Sequence, residues 1–169
     1  MRLVKRGEWE FVERNNCSGI VIIVALTDKG QVIFVQQYRP PVDKQVIEFP
    51  AGLINDHGDS KMVESFVTAA KRELLEETGY QAQRIVKLLE GPVSSGSSGD
   101  CVTMVQAVGL KKIHSGGGDE SESIVVHEVD LKSVDSWLTK MKNKGYLVEP
   151  KIYAGLYFLK NYNKSQVFE

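Results

Sequence analysis

The segment Arg72-Glu73-Leu74-Leu75-Glu76-Glu77-Thr78-Gly79-Tyr80 contains three glutamates and one arginine within nine residues. On an α-helix, with about 100° between successive residues, Glu73, Glu76 and Glu77 project from one face. Like charges at this spacing repel each other, and carboxylate oxygens without sulfur or imidazole suit Mg²⁺ or Mn²⁺. A solvated acidic helix face is the alternative interpretation. Apolar neighbours and a glycine suited to the C-cap favour one packed helix whose acidic edge holds a divalent cation.

The longer stretch from Gly58 to Tyr80 resembles the Nudix box. Gly58 is followed by five residues, then Glu64, then seven residues and the 72–80 segment, as in the family signature. The resemblance implies a hydrolase of nucleoside diphosphates linked to another moiety. Gly52, in Pro50-Ala51-Gly52, is an alternative box glycine that places a longer polar loop before Glu64, and the sequence leaves that choice and the role of Glu64 open.

Segments outside the box resemble the ADP-ribose and nucleoside-diphosphate-sugar pyrophosphatases. These are Trp9-Glu10-x-Val12-x-Arg14, Gln37-Tyr38-Arg39-Pro40, residues 47–54 and residues 119–124. The resemblance implies that the Ala51 carbonyl, Glu73 and Glu77 bind divalent metal, with Glu76 contributing or bridging. It also implies that Arg72 orients the first box glutamate, and that Glu120 and Glu122 supply a base or a metal ligand. Trp9 would stack on the nucleobase, from an N-terminal region exchanged across a homodimer; a buried core tryptophan is the equal alternative.

Hydrolysis of a phosphoanhydride requires neutralised phosphate charge, an oriented water and a base. Arg39 follows an apolar strand, and its planar guanidinium suits phosphate oxygens, although a structural salt bridge is an equal alternative. With Trp9 and Glu48 it makes up the predicted substrate-binding set. Metal-bound carboxylates are already occupied, so the predicted base lies in the acidic loop with Glu120 and Glu122, where preceding glycines provide a hinge.

The chain has 169 residues, of which 42% are hydrophobic and 25% are charged, and its formal net charge is −1. These values predict one globular domain, residues 1–169. The charge gives no support for nucleic-acid or membrane partners. Neither a signal peptide nor an apolar run of membrane-spanning length is present, so the predicted location is the cytoplasm. Its two cysteines show no paired spacing and predict free thiols.

Hydrophobic patterning predicts seven strands, the box helix and two closing helices. The predicted strands are residues 9–13, 20–26, 32–35, 46–49, 85–89, 102–108 and 124–129, and the closing helices are residues 131–142 and 150–161. The predicted fold class is α/β, a Nudix α/β/α sandwich with a mixed sheet, preceded by a short N-terminal antiparallel strand region. A short strand pair is marginal alone, so residues 1–40 are predicted to contribute to a homodimer.

One position bears on the substrate. ADP-ribose-specific relatives carry a proline about fifteen residues past the box, where this chain has Ser95. Loss of a rigid turn favours a broader Mg²⁺- or Mn²⁺-dependent hydrolase that splits nucleoside diphosphate sugars into a nucleoside monophosphate and a sugar phosphate. The alternatives are a strict ADP-ribose pyrophosphatase, a non-catalytic sensing module, and a hydrolase of oxidised nucleoside triphosphates. The complete set of box carboxylates favours an enzyme.

Overall fold

The computed structural model describes residues 1–15, 17–55, 64–118 and 123–161. Within these ranges the strands are β1 Arg2–Arg6, β2 Trp9–Glu13, β3 Gly19–Ala25, β4 Gln31–Arg39, β5 Lys44–Glu48, β6 Ala51–Ile54, β7 Tyr80–Pro92, β8 Cys101–Lys112, β9 Val125–Asp130 and β10 Leu147–Val148. The helices are α1 Phe66–Thr78, α2 Val134–Asn143 and α3 Lys151–Asn161, with a 3₁₀ turn at Pro40–Val42. None of these helices has the length and apolarity needed to cross a bilayer.

The strands form two four-stranded sheets and one hairpin. The sheet orders are β10-β5-β4-β9 and β6-β3-β8-β7, and β1 pairs with β2. Each sheet is mixed, because β10 runs parallel to β5 and β3 runs parallel to β8, whereas their other pairs are antiparallel. The predicted mixed sheet and N-terminal antiparallel strand pair are confirmed.

Alternation along β3 divides the core into two layers. Val21, Ile23 and Ala25 pack with Ala69, Ala70 and Leu74 of α1. The residues between them, Ile22 and Val24, pack in the other cluster, which includes Leu138 of α2 and Ile152 of α3. Successive side chains of a strand point to opposite faces. The box helix therefore covers one face and the two closing helices cover the other, which confirms the α/β/α sandwich.

Helix α1 has a defined cap at each end. Ser65 precedes it, and the Ser65 hydroxyl accepts a hydrogen bond from the Thr68 N–H at 3.1 Å. Gly79 follows it with φ of 72°, and its N–H donates to the Leu75 carbonyl at 2.8 Å. A Cβ on Gly79 would lie 2.0 Å from the His114 carbonyl oxygen, so both conformation and space require glycine. The predicted C-cap is confirmed.

Two strands differ from the prediction. Strand β10 was not predicted, and Pro50-Ala51-Gly52 was predicted as a tight bend, whereas Ala51–Ile54 forms β6. Strand β6 pairs with β3, with Ile22 opposite Ala51 and Ile20 opposite Leu53. Proline and glycine signal a turn locally, but pairing with a distant buried strand overrides that signal. The bend interpretation was wrong.

The N-terminal hairpin contacts the serine- and glycine-rich loop at residues 94–99 of its own chain. The Val12 N–H donates to the Ser97 carbonyl at 3.0 Å, and the Gly99 N–H donates to the Val12 carbonyl at 3.0 Å. Arg14 Nε lies 3.3 Å from Asp100 Oδ2. This loop therefore has a packing role beyond that of a connector. The homodimer predicted from the hairpin stays a prediction.

Candidate active site

A cavity of about 590 Å³ lies between α1 with β6 on one side and β5 with the start of α3 on the other. The predicted site residues in its wall are Arg39, Glu48, Ala51, Arg72, Glu73 and Glu76. Residues far apart in sequence therefore meet around one volume large enough for a substantial ligand.

The side of the cavity formed by α1 and β6 is here called the box-helix wall, and Arg72 makes several contacts within it. Its Nη1 lies 2.8 Å from Glu73 Oε1 and 3.3 Å from Glu76 Oε2. Its Nε lies 3.2 Å from Glu64 Oε1, and its Nη2 donates to the Leu53 carbonyl at 3.1 Å. The rigid guanidinium fork fixes the directions of these contacts. Arg72 thus holds two box carboxylates beside the β6 backbone.

Glu64 connects the end of β6 to this arginine. The Asn55 N–H donates to Glu64 Oε2 at 3.0 Å, and the Glu64 N–H donates to Asn55 Oδ1 at 2.7 Å. The Glu64 carboxylate also contacts Arg72. Its position is that of a support for Arg72, a role that the sequence left open.

Gly52 makes room for the first box glutamate. A Cβ built on Gly52 would lie 1.9 Å from both Cδ and Oε1 of Glu73. The Glu73 side chain is itself buried, with 8% of the residue exposed. Any larger residue at position 52 would displace this carboxylate. Gly58, the other candidate for the box glycine, lies outside the described residues.

The buried Glu77 of α1 contacts β6. It is 2% exposed, and its Oε2 accepts a hydrogen bond from the Ala51 N–H at 3.1 Å. The neighbouring Pro50 carbonyl accepts from the Ile23 N–H of β3 at 2.8 Å. Hydrogen-bonding directions alternate along an edge strand, so the N–H and C=O of Ala51 both point away from β3. The Ala51 carbonyl therefore faces the α1 side, where Glu77 lies.

These groups fit a hard divalent cation. The cavity is lined by Ala51, Glu73 and Glu76. The described residues of its wall include no cysteine or histidine. Oxygen ligands of this kind suit Mg²⁺ or Mn²⁺, and the absent Cβ of Gly52 leaves the space that Glu73 fills. Across residues 1–15, 17–55, 64–118 and 123–161, no three His, Cys, Asp or Glu side chains are already grouped as metal ligands.

The opposite wall carries the predicted Arg39 and Glu48. Arg39 Nε lies 2.9 Å from Glu48 Oε2. Burial raises the pKa of the Glu48 carboxyl, the Arg39 charge opposes this rise, and the Glu149 charge adds to it. Glu149 and Lys151 also line the cavity. Neither residue was predicted from the sequence, in which their only signal is a charged pair flanking Pro150 at a predicted helix start.

Glu120 and Glu122, the predicted base residues, lie outside the described residues. The glycine segment before them packs against the end of α1. The Gly117 N–H donates to the Glu77 carbonyl at 2.9 Å, and the Gly118 N–H donates to the Glu76 carbonyl at 3.2 Å. A Cβ on Gly116 would lie 2.5 Å from the Thr78 carbonyl carbon. Gly117 and Gly118 therefore donate hydrogen bonds to carbonyls at the end of α1 that have no partner within the helix. This role is separate from the predicted role of the glycines as a hinge.

Trp9 lies apart from the main cavity. It is 65% exposed, which rules out the buried core alternative. It lines a separate depression of about 280 Å³ together with Arg6, Phe11 and residues of the 94–99 loop, including Ser95. Stacking on a nucleobase across a homodimer stays a prediction.

This chain is similar in sequence to proteins of known name. The methanol dehydrogenase activator of Bacillus methanolicus is 33% identical over 127 residues, 75% of this chain and 64% of that protein. The ADP-ribose pyrophosphatase of Bacillus subtilis (strain 168) is 33% identical over 115 residues, 68% of this chain and 59% of that protein. The match thus spans less than two thirds of the length of these relatives.

The fold is also found among solved structures. The crystal structure of an ADP compounds hydrolase superposes with a TM-score of 0.70 at 23% identity, covering 94% of this chain and 78% of that chain. The sequence model of the NUDIX domain matches residues 18–145, which include the box helix, β6, Arg39 and Glu48 but not Glu149 or Lys151. With the α/β/α sandwich and the box helix, these matches show that the chain belongs to the NUDIX domain family.

Proposed function

We propose that this protein hydrolyses the pyrophosphate bond of nucleoside diphosphate sugars, with ADP-ribose among them, and requires Mg²⁺ or Mn²⁺. The products would be a nucleoside monophosphate and a sugar phosphate. The observation that carries the proposal is that Glu73, Glu76 and Ala51 line one cavity, while the Glu77 carboxylate accepts a hydrogen bond from the Ala51 N–H beside them. The names of the Bacillus subtilis ADP-ribose pyrophosphatase and of the ADP compounds hydrolase agree with this substrate class.

The roles of the residues follow from their positions. Glu73, Glu77 and the Ala51 carbonyl would hold the cation, with Glu76 contributing. When bound, a divalent cation neutralises phosphate charge and lowers the pKa of water. Arg72 positions the Glu73 carboxylate, and Glu64 in turn supports Arg72. Arg39, on the opposite wall, would donate to phosphate oxygens.

The base for the attacking water is proposed to come from the acidic segment after Gly118, with Glu120 favoured and Glu122 as a supporting ligand. The Gly118 N–H bonds to the Glu76 carbonyl, so the described chain before this segment ends beside the box helix. Glu120→Gln and Glu122→Gln should affect kcat more than substrate Kd. Full kcat in both variants would assign the base to a box glutamate or to metal-bound hydroxide instead.

The proposed assembly is a homodimer, in which Trp9 of one subunit would serve the other active site. Trp9 is exposed and lies outside the main cavity of its own chain, as a residue that serves a second subunit would. Light scattering at micromolar concentration checks this proposal, and a monomer would contradict it.

The second candidate function is that of a regulatory module. The similarity to the methanol dehydrogenase activator supports this candidate. A sensing module would bind nucleotide ligands without turnover and would not need the carboxylates of a metal site. The hydrolase is supported instead by the presence of the three box glutamates and the box arginine in one arrangement, namely Glu73, Glu76, Glu77 and Arg72.

One substrate screen tests the proposal. Nucleoside diphosphate sugars, ADP-ribose and nucleoside triphosphates are incubated with the protein and Mg²⁺, Mn²⁺ or EDTA, and monophosphate release is measured. We expect turnover of several nucleoside diphosphate sugars within about two orders of magnitude in kcat/KM, and none with EDTA. Preference for ADP-ribose above roughly a thousandfold would establish the strict alternative. Binding without turnover would establish the sensing module, and triphosphate-only turnover would contradict both.

A further inference from the structure

Four charged side chains line the cavity wall opposite the box helix. They are Arg39 from β4, Glu48 from β5, Glu149 after β10 and Lys151 at the start of α3, here called the opposite-wall quartet. We propose that this quartet binds the sugar phosphate half of the substrate, with Glu149 and Lys151 as residues that determine specificity for that half. The inference rests on the proposed function and assigns one part of its substrate to one wall.

Strand pairing brings the two acidic members together. Strand β10 runs parallel to β5, with Val148 opposite Ile47. The Glu149 N–H extends this pairing by donating to the Ile47 carbonyl at 3.0 Å. Glu48 directly follows Ile47, Glu149 directly follows Val148, and both glutamates line the cavity. Their proximity is fixed by backbone hydrogen bonds and does not depend on flexible side chains.

Each acidic member has a cation beside it. Arg39 pairs with Glu48 at 2.9 Å, and Lys151 forms an ion pair with Glu149. The Glu48 side chain is 10% exposed, whereas that of Arg39 is 42% exposed. Burying a carboxylate is costly unless it is paired, so the cations keep these acids in the wall. The quartet has two acids and two cations and therefore no formal excess of either charge.

This combination suits a hydroxylated, phosphorylated ligand. Carboxylates accept hydrogen bonds from hydroxyl groups, and guanidinium or ammonium groups donate to phosphate and hydroxyl oxygens. A sugar phosphate presents both kinds of group, so it can engage the acids and the cations at the same time. A simple anion would use only the cations, and a metal ion would use only the acids.

The nucleobase half fits this wall poorly. Bases are held largely by stacking on aromatic faces. Phe49 is the aromatic residue among the described residues that line the cavity, and it is 1% exposed because it packs in the core against Phe34. Trp9 of the same chain lines the separate depression, and the Trp9 proposed to stack on the base belongs to the second subunit and is not part of the quartet. Of the two halves of the substrate, the sugar phosphate is therefore assigned to the quartet.

Calorimetric binding of the separated halves tests the assignment. Ribose 5-phosphate, glucose 1-phosphate and AMP are titrated into the wild type, Lys151→Met and Glu149→Gln in the presence of Mg²⁺. Lys160→Met is the matched control, because Lys160 lies on the same helix and pairs with Asp135 instead of lining the cavity. Thermal melts check folding, and the isosteric Glu149→Gln keeps the test valid if Lys151→Met does not fold.

We expect Lys151→Met and Glu149→Gln to weaken binding of the sugar phosphates by tenfold or more and to change AMP binding less than twofold. Lys160→Met should bind all three ligands as the wild type does. Equal weakening of both halves, or unchanged sugar phosphate binding, would overturn the assignment. Turnover of ADP-ribose by the wild type is measured separately. If turnover occurs while sugar phosphate binding is unchanged in the variants, the inference fails alone. If the wild type turns over no nucleotide sugar, the proposed function fails and the quartet's assignment to a substrate half fails with it.

Discussion

The two walls of the cavity arrange the same kinds of charged residue differently. On the box-helix wall, the carboxylates of Glu64, Glu73 and Glu76 all contact Arg72. On the opposite wall, Arg39 pairs with Glu48 and Lys151 pairs with Glu149. Carboxylates gathered in one place offer the oxygen ligands that suit a divalent cation. Separate pairs of an acid and a cation offer acceptors and donors that suit hydroxyl groups and phosphate. The arrangement of the charged groups, more than their identity, separates the two proposed ligand classes.

The largest expected difference between the walls is in turnover. Glu73→Gln keeps the side-chain shape and removes a charge from the proposed metal site, so kcat should fall by about a thousandfold or more. Glu48→Gln, the matching change in the opposite wall, should act mainly on KM, with kcat within about tenfold. Steady-state kinetics of the two variants measure the difference. Equal losses of kcat would remove the distinction between the walls.

Gly52→Ala isolates the geometry of the box-helix wall from its charge. The added Cβ would overlap the end of the Glu73 side chain, which can move, so the fold should survive while the carboxylate shifts. A displacement of about 1 Å can lower kcat by roughly a hundredfold. Gly91→Ala is the control, because Gly91 lies in β7 and no described atom is near its Cβ position. Equal kcat in the two variants would show that the Glu73 position is unimportant.

Trp9→Ala tests the region outside both walls. Stacking contributes about 1–3 kcal/mol whichever base is bound, so KM should rise by about fivefold to a hundredfold. Stacking holds ground state and transition state alike, so kcat should stay nearly unchanged for every nucleoside diphosphate sugar. A drop in kcat at unchanged KM would place Trp9 in the chemical step instead.

The smallest effect concerns pH and the buried Glu48. Its pKa is raised in the folded protein, chiefly by burial. The folded state therefore binds this proton more tightly than the unfolded state. The resulting stability is fully present below the usual pKa of a glutamate and is lost as pH rises through the raised pKa. Denaturant unfolding over this window should show wild-type stability falling relative to Glu48→Gln, and an opposite slope would contradict the pKa direction.

The walls also differ in how far the sequence predicts them. The box-helix wall comes from contiguous residues whose helical spacing places Glu73 and Glu76 together, so its members were found directly. The opposite wall combines β4, β5 and the start of α3, and the pairing of β10 with β5 that brings Glu149 to Glu48 is a long-range contact. A two-residue strand has almost no local signal. Glu149 and Lys151 were missed for this reason, and β6 was taken for a bend because its partner β3 is distant in sequence.

Direct metal binding tests the central claim that the box-helix wall holds the divalent cation. Mn²⁺ is titrated into the wild type, Glu77→Gln and Glu149→Gln, and free Mn²⁺ is measured by electron paramagnetic resonance. In Glu77→Gln the side-chain amide oxygen can still accept from the Ala51 N–H, so the fold should persist. We predict that Glu77→Gln weakens Mn²⁺ binding by about tenfold or more, whereas Glu149→Gln binds as the wild type does. Equal Mn²⁺ binding by the wild type and Glu77→Gln would contradict the claim.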